Sequence, residues 1–255
     1  MEFIPIIVFI LGLAIGSFLN VLIDRLPVGQ DIVRGRSHCD HCKRTLSWYE
    51  LIPIGSWVIQ LGKSRCCGKP LSIQYPFIEL VTGFVFVLLY VLFFTTPLLF
   101  IAYCCISMAV IVLFGTDLKF ELLPTPILIL WGVGVTLRFL ALHLSATELL
   151  YSYGIPSFGA GLFFFLLWLF SKGRAMGDGD MWLAVLIGLV IGYPGIIIAL
   201  YVAFLTGAAV GVILILGRFK TLKSHIPFGP FLLFGMVVER IFGNMLYAWW
   251  SRLWI

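Results

Sequence analysis

Long apolar runs separated by short polar breaks dominate the chain. A helix needs about 20 apolar residues to cross a hydrocarbon core of roughly 30 Å. The runs supply eight candidate spans, at approximately 3-23, 77-94, 98-116, 124-143, 155-171, 182-193, 196-216 and 229-249. The expected fold is therefore an all-α polytopic membrane protein of about eight transmembrane helices. The sixth run is short and is followed by Gly192-Tyr193-Pro194-Gly195, a tight-turn signal. Runs six and seven are thus expected to form a helical hairpin whose first arm reaches back toward Asp180. No internal repeat or low-complexity tract interrupts the pattern.

Composition agrees: 61% of residues are hydrophobic and only 11% charged, far from the balance of an ordinary soluble domain. The first run begins beside the acidic Glu2, has no A-x-A cleavage pattern and is too long for a signal h-region, so it reads as a permanent span. In a soluble protein the net charge of +5 would suggest nucleic acid. Here the basic residues are grouped beside membrane segments, so membrane lipid is the expected surrounding and no nucleic acid is expected.

Lysines and arginines also set the expected orientation. Arg25, Arg34, Arg36, Lys43, Arg44, Lys63, Arg65 and Lys69 follow the first span; Lys119, then Lys172 and Arg174, then Arg218, Lys220 and Lys223 follow in alternate loops. The positive-inside rule then puts the long loop in the cytoplasm and both chain ends outside. The organisation expected is a first transmembrane helix at 1-23, a cytoplasmic cysteine-containing loop at 24-76, and a transmembrane core at 77-255.

On that topology Asp117, after span three, and Asp180, before span six, land on the same side of the membrane. Two adjacent carboxylates cannot both ionise comfortably, so the pair can hold one proton between them, one member acting as base and the other as acid. Such a pair activates water against a peptide carbonyl. Gly177-Asp178-Gly179-Asp180 adds glycines that let the backbone turn tightly near a substrate. Asp178 is the alternative acid in that motif, and a plain helix cap is the alternative role for Asp180.

The long loop carries Cys39-Asp40-His41-Cys42 and then Cys66-Cys67. In a reducing compartment a C-x₂-C turn with further thiols reads as a zinc site on Cys39, Cys42, Cys66 and Cys67, with His38 or His41 as substitute ligands, or as free thiols. Cys104 and Cys105, inside a span, read as small packing residues.

The chain resembles the bacterial type IV prepilin peptidase family, whose Gram-positive members process competence pseudopilins. The resemblance runs through Gly16-Ser17-Phe18-Leu19-Asn20-Val21, Asp24-Arg25-Leu26-Pro27, Arg36-Ser37-His38-Cys39, Glu50-Leu51-Ile52-Pro53 and Tyr75-Pro76-Phe77-Ile78-Glu79-Leu80. It continues through Asp117, Leu123-Pro124, Gly177 to Asp180, and Ile226-Pro227-Phe228-Gly229-Pro230. It implies a catalytic pair at Asp117 and Asp180 and cleavage of a prepilin or pseudopilin leader after a glycine, at the cytoplasmic face of the bacterial inner membrane. It also implies N-methylation of the new amino terminus from S-adenosylmethionine, an activity linked in the family to the cysteine loop. The sequence departs from the family at Ser64, where a second C-x₂-C would have its first cysteine, at Thr125, often an acid, and at Trp182, commonly a lysine. The competing readings are a membrane metal-ion transporter, which would place polar groups near the midplane, and a zinc-bearing scaffold.

Overall fold

The computed structural model describes residues 3–32, 34–39, 41–173, 176–218 and 226–252; Glu2, Asp40, Arg174, Lys220, Lys223 and His225 lie outside that set. The described residues form eight principal helices: α1 (Ile4–Arg25), α2 (Gln74–Phe93), α3 (Pro97–Phe120), α4 (Thr125–Leu142), α5 (Ile155–Ser171), α6 (Gly179–Ile191), α7 (Gly195–Leu216) and α8 (Gly229–Arg252). Short helical turns at Trp48–Leu51 and Gly55–Ile59 lie in the long loop. The fold is all-helical, and among the described residues seven helices are long and apolar enough to cross a membrane. Large apolar side chains such as Ile7, Leu88, Phe158 and Ile213 stand exposed along them, as lipid-facing residues do. This is a multi-pass membrane protein.

Two helix ends differ from the sequence expectation. The third apolar run stops at residue 116, but α3 continues to Phe120, so Asp117 sits inside its last turn. Hydrogen bonding carries a helix past the point where its side chains cease to be apolar. Likewise, Thr147, Glu148 and Ser152 interrupt an apolar run without interrupting the helix, which runs continuously over Ala146–Ser171.

The chain divides into two compact units, Met1–Thr116 and Asp117–Ile255. In the first, α1 packs along α2 through small residues. A Cβ on Gly16 would lie 2.7 Å from Glu79 Cα, and one on Gly12 would lie 2.7 Å from Gly83 Cα. Dispersion between closely approaching backbones is what holds helices together in lipid, where the hydrophobic effect gives little. Asn20 fastens the polar end of this pair, donating to the Gly16 carbonyl at 3.3 Å and the Tyr75 carbonyl at 3.1 Å. Val8, Phe86 and Cys104 form an apolar cluster that joins α3 to α1 and α2, the packing role expected of Cys104.

In the second unit α5 packs along α6 and α7 along α8. Ser157 donates to the Val185 carbonyl at 2.7 Å, and the rings of Phe164, Phe204 and Phe228 cluster with centroids 5.0 to 6.1 Å apart. At about 1.5 Å per residue, the 13 residues of α6 span roughly 20 Å, short of the hydrocarbon core. Its last carbonyls therefore need partners inside the protein. Arg138 of α4 donates to Leu189 O at 3.4 Å and Arg240 of α8 to Val190 O at 2.6 Å, placing positive charge at the negative end of the helix dipole.

Gly16→Ala is expected to destabilise the protein by about 1–3 kcal/mol, because backbone must move to admit the methyl group. Gly132→Ala, where nothing lies within 4 Å of the added atom, is expected to be neutral or stabilising. Thermal unfolding of the two variants in detergent checks the contrast.

Candidate functional site

The last turn of α3 carries Asp117 and the first turn of α6 carries Asp180. Both residues are buried, at 5% and 7% exposed, and the charge of Asp117 acts on Asp180. The chain after α3 packs against the start of α6. A Cβ on Gly179 would lie 2.9 Å from Leu123 Cδ1, so the start of α6 rests directly on the loop that follows Asp117.

The opening residue of α8 completes this arrangement. The Gly229 N–H donates to the Asp117 carboxylate, and a Cβ at position 229 would collide with Asp117 Oδ2. Pro230 follows at the first helical turn, where its missing N–H costs nothing. The positive end of a long helix thus faces Asp117. Oδ2 of Asp117 remains buried with no hydrogen-bond partner. Asp178, the alternative acid, is exposed and occupies the cap position before α6. Thr125 and Trp182 are also exposed.

A second cluster lies in the first unit. The sulfur atoms of Cys39, Cys42, Cys66 and Cys67 all lie within 4.8 Å of one another, and none is in a disulfide. Two turns of the same design present them. In one, Cys39 N–H donates to Arg44 O at 2.9 Å and Lys43 N–H to Cys39 O at 3.0 Å; in the other, Ser64 N–H donates to Lys69 O at 2.8 Å and Gly68 N–H to Ser64 O at 2.8 Å. Lys43 and Gly68 hold equivalent left-handed conformations, with φ of 59° and 69°. Ser64 is therefore the counterpart of Cys39. Cys66 brings the fourth sulfur from a position the first turn does not use.

The donor set fits a tetrahedral zinc. Four sulfurs at about 2.3 Å from the metal stand about 3.8 Å apart. Cys39 and Cys67 are 3.8 Å apart and Cys42 and Cys66 are 3.0 Å apart. Burial pushes the Cys39 thiol up, but the N–H groups of Cys42 and His41 and the Ser64 hydroxyl favour its thiolate and lower it to about 6. The neighbouring Cys42 thiol raises Cys66 to about 11. A metal binds thiolates, so ion uptake at Cys66 releases a proton. His38 and His41 contact the carbonyls of Arg36 and Pro70 instead, at 3.3 Å and 3.4 Å, and leave the sulfurs as the ligand set.

Sequence reasoning gave Gly229 no role, because a backbone donor leaves no side-chain signature. The glycine immediately before a helix-starting proline was the available signal.

Residues 10–93 match the family model of the bacterial peptidase A24 N-terminal domain, and residues 103–212 match that of the type IV leader peptidase family. The chain is 33% identical over 249 residues to the prepilin leader peptidase/N-methyltransferase of Bacillus subtilis (strain 168), covering 97% of this chain and 98% of the relative. It is 33% identical over 212 residues to the protein of that name from Myxococcus xanthus (strain DK1622), covering 83% of this chain but 63% of the relative. Against the Xanthomonas campestris pv. campestris protein of that name it is 32% identical over 263 residues, covering 92% and 90% of the two chains. No solved structure matches the chain.

Ser64→Cys, which regularises the second turn, is expected to hold zinc more tightly against a competing chelator, and Cys42→Ser to hold it less tightly. Zinc release followed with a chromogenic chelator measures both, and equal release from all three proteins would contradict the four-sulfur site.

Proposed function

Because the chain belongs to the type IV leader peptidase family, we propose that it removes the leader peptide from prepilin or pseudopilin precursors, with Asp117 and Asp180 performing the hydrolysis. The observation that carries this reading is the buried carboxylate pair, one member held by the Gly229 N–H and left with an open Oδ2. A buried acceptor without a partner costs about 1–3 kcal/mol, and such a group is available to water or substrate.

One carboxylate takes a proton from water as the water oxygen bonds to the scissile carbonyl carbon. The carbon–nitrogen bond then breaks as the other carboxyl delivers a proton to the leaving amine. The cut falls after a glycine, where a polar leader meets the apolar helix of the substrate, and that helix lies against the spans. An ionisable side chain at the centre of a bilayer costs about 2.5–3.5 kcal/mol, so a dyad at the ends of spans, with access to water, is the favourable location. Arg25 ends α1, and Lys119, Lys172 and Arg218 stand in the last turns of α3, α5 and α7 or just beyond. This alternation supports a site facing the cytoplasm and chain ends outside.

The second activity in the relatives' name belongs to the same proposal. S-adenosylmethionine would supply the methyl group for the freed amine of the cleaved substrate. Cys39, Cys42, Cys66 and Cys67 would hold zinc as a staple that orders a loop with little core of its own.

Asp117→Asn and Asp180→Asn are each expected to slow leader removal by about 10²- to 10⁴-fold. Intact mass of a prepilin-type substrate follows the reaction, and full-rate cleavage by either folded variant would reject the assignment. Gly229→Ala, which pushes a methyl group into the Asp117 carboxylate, is expected to cost on the order of 10²-fold in the same assay.

A further inference from the structure

The loop between α1 and α2 leaves large aliphatic side chains uncovered where its short helical turn Gly55–Ile59 gives way to the second cysteine turn. Ile59 is 75% exposed and Leu61 85%, Val58 is exposed as well, and Ile73, where the loop meets α2, is 72% exposed. Aliphatic surface left open in this way forfeits the hydrophobic effect in water and marks a contact with an apolar partner.

Two hydrogen bonds fix where this edge lies. The N–H of Ile54, which precedes the short helical turn, donates to Glu79 Oε2 at 2.7 Å, and Glu79 is more than a turn inside α2. The Leu71 N–H donates to Gly62 O at 2.7 Å, just before α2 begins. The stretch is therefore pinned at both of its ends to the start of a membrane-spanning helix. Phe77 and Leu80 stand exposed on the first turns of that helix. The uncovered loop residues thus sit at the level where lipid-facing surface begins, and Ile73 leads from one to the other.

Charge and aromatic content fit the same boundary. Between Glu50 and Glu79 the chain has no acidic residue and three basic ones, Lys63, Arg65 and Lys69, all exposed. The Arg65 guanidinium lies over the Tyr49 ring at 5.5 Å from its centroid, and Tyr49 meets the exposed Trp48 edge-on at 5.8 Å. Aliphatic chains accompanied by Trp, Tyr, Lys and Arg are the composition of a segment that lies in the headgroup layer of a bilayer. Basic residues at that level attract anionic headgroups.

We propose that residues 58–61, together with Ile73, insert into the headgroup layer of the membrane that α2 enters, and that Lys63 and Arg65 bind anionic lipid headgroups there. The loop is then an in-plane membrane contact in addition to the spans. Because Gly62 is paired with Leu71 across the turn that bears Cys66 and Cys67, docking holds that turn at the bilayer surface.

The depth of nitroxide probes in the full-length protein tests the proposal. A nitroxide amino acid is encoded at position 59 or 61, which leaves the native thiols untouched, and at Leu88, exposed on α2, as the membrane reference. The protein is placed in nanodiscs of phosphatidylcholine alone or of phosphatidylcholine mixed with phosphatidylglycerol, and thermal unfolding establishes that each labelled protein is folded. Power saturation with oxygen and with a water-soluble nickel chelate is expected to place both loop probes about 5–10 Å into the bilayer boundary. They are expected to lie deeper when phosphatidylglycerol is present, and Lys63→Gln combined with Arg65→Gln is expected to abolish that difference. Probes that remain in water in both nanodiscs overturn the proposal. So does burial that appears only when a prepilin-type substrate is added, which would make the edge a substrate surface. Equal depth in the two lipid mixtures, or a difference that survives the paired substitution, overturns the assignment of anionic headgroups to Lys63 and Arg65.

Discussion

Hydrocarbon offers no hydrogen bonds, so every polar group this chain carries into a membrane must find its partner within the protein. The short helix α6 shows the constraint at work, its final carbonyls taken by Arg138 and Arg240. Asn20 meets the same need where α1 and α2 begin to separate. Against that background, Asp117 is conspicuous: one backbone N–H reaches its carboxylate, and Oδ2 is left open in a buried place. An arrangement that leaves such a group unsatisfied favours chemistry over stability.

Each unit contributes a different kind of chemistry. The second contains both carboxylates and the helix start that holds one of them, with the Leu123 and Asp117 side chains lying close against Gly179 and Gly229. The first contains the thiols and a polar cavity beside them. Its loop is too small to build a core, and two turns of matching hydrogen bonds, joined through sulfur, substitute for one. Hydrolysis under this account needs only the second unit's acids.

The apolar runs made the helices legible, because a segment that must cross hydrocarbon advertises itself by composition alone. Their ends were less legible. Asp117 belongs to α3 although it is not apolar, and Glu148 belongs to the helical course leading into α5. The two aspartates stood out by their neighbouring glycines and by family resemblance, but their approach to each other depends on Leu123 meeting Gly179, a contact with no local signature. Ser64 could be placed at a missing cysteine by the family resemblance, while the position of the Cys66 sulfur could not, since adjacent residues usually diverge.

The central claim is that Asp117 and Asp180 act as one catalytic unit, and a double-mutant cycle on leader cleavage tests it most directly. Groups that work as a unit are strongly non-additive. Single-turnover rates for Asp117→Asn, Asp180→Asn and the double variant, all verified as folded, are therefore expected to be similarly low, with the double variant scarcely slower than either single one. Losses that multiply in the double variant would mean that the two carboxylates act independently and would contradict the account.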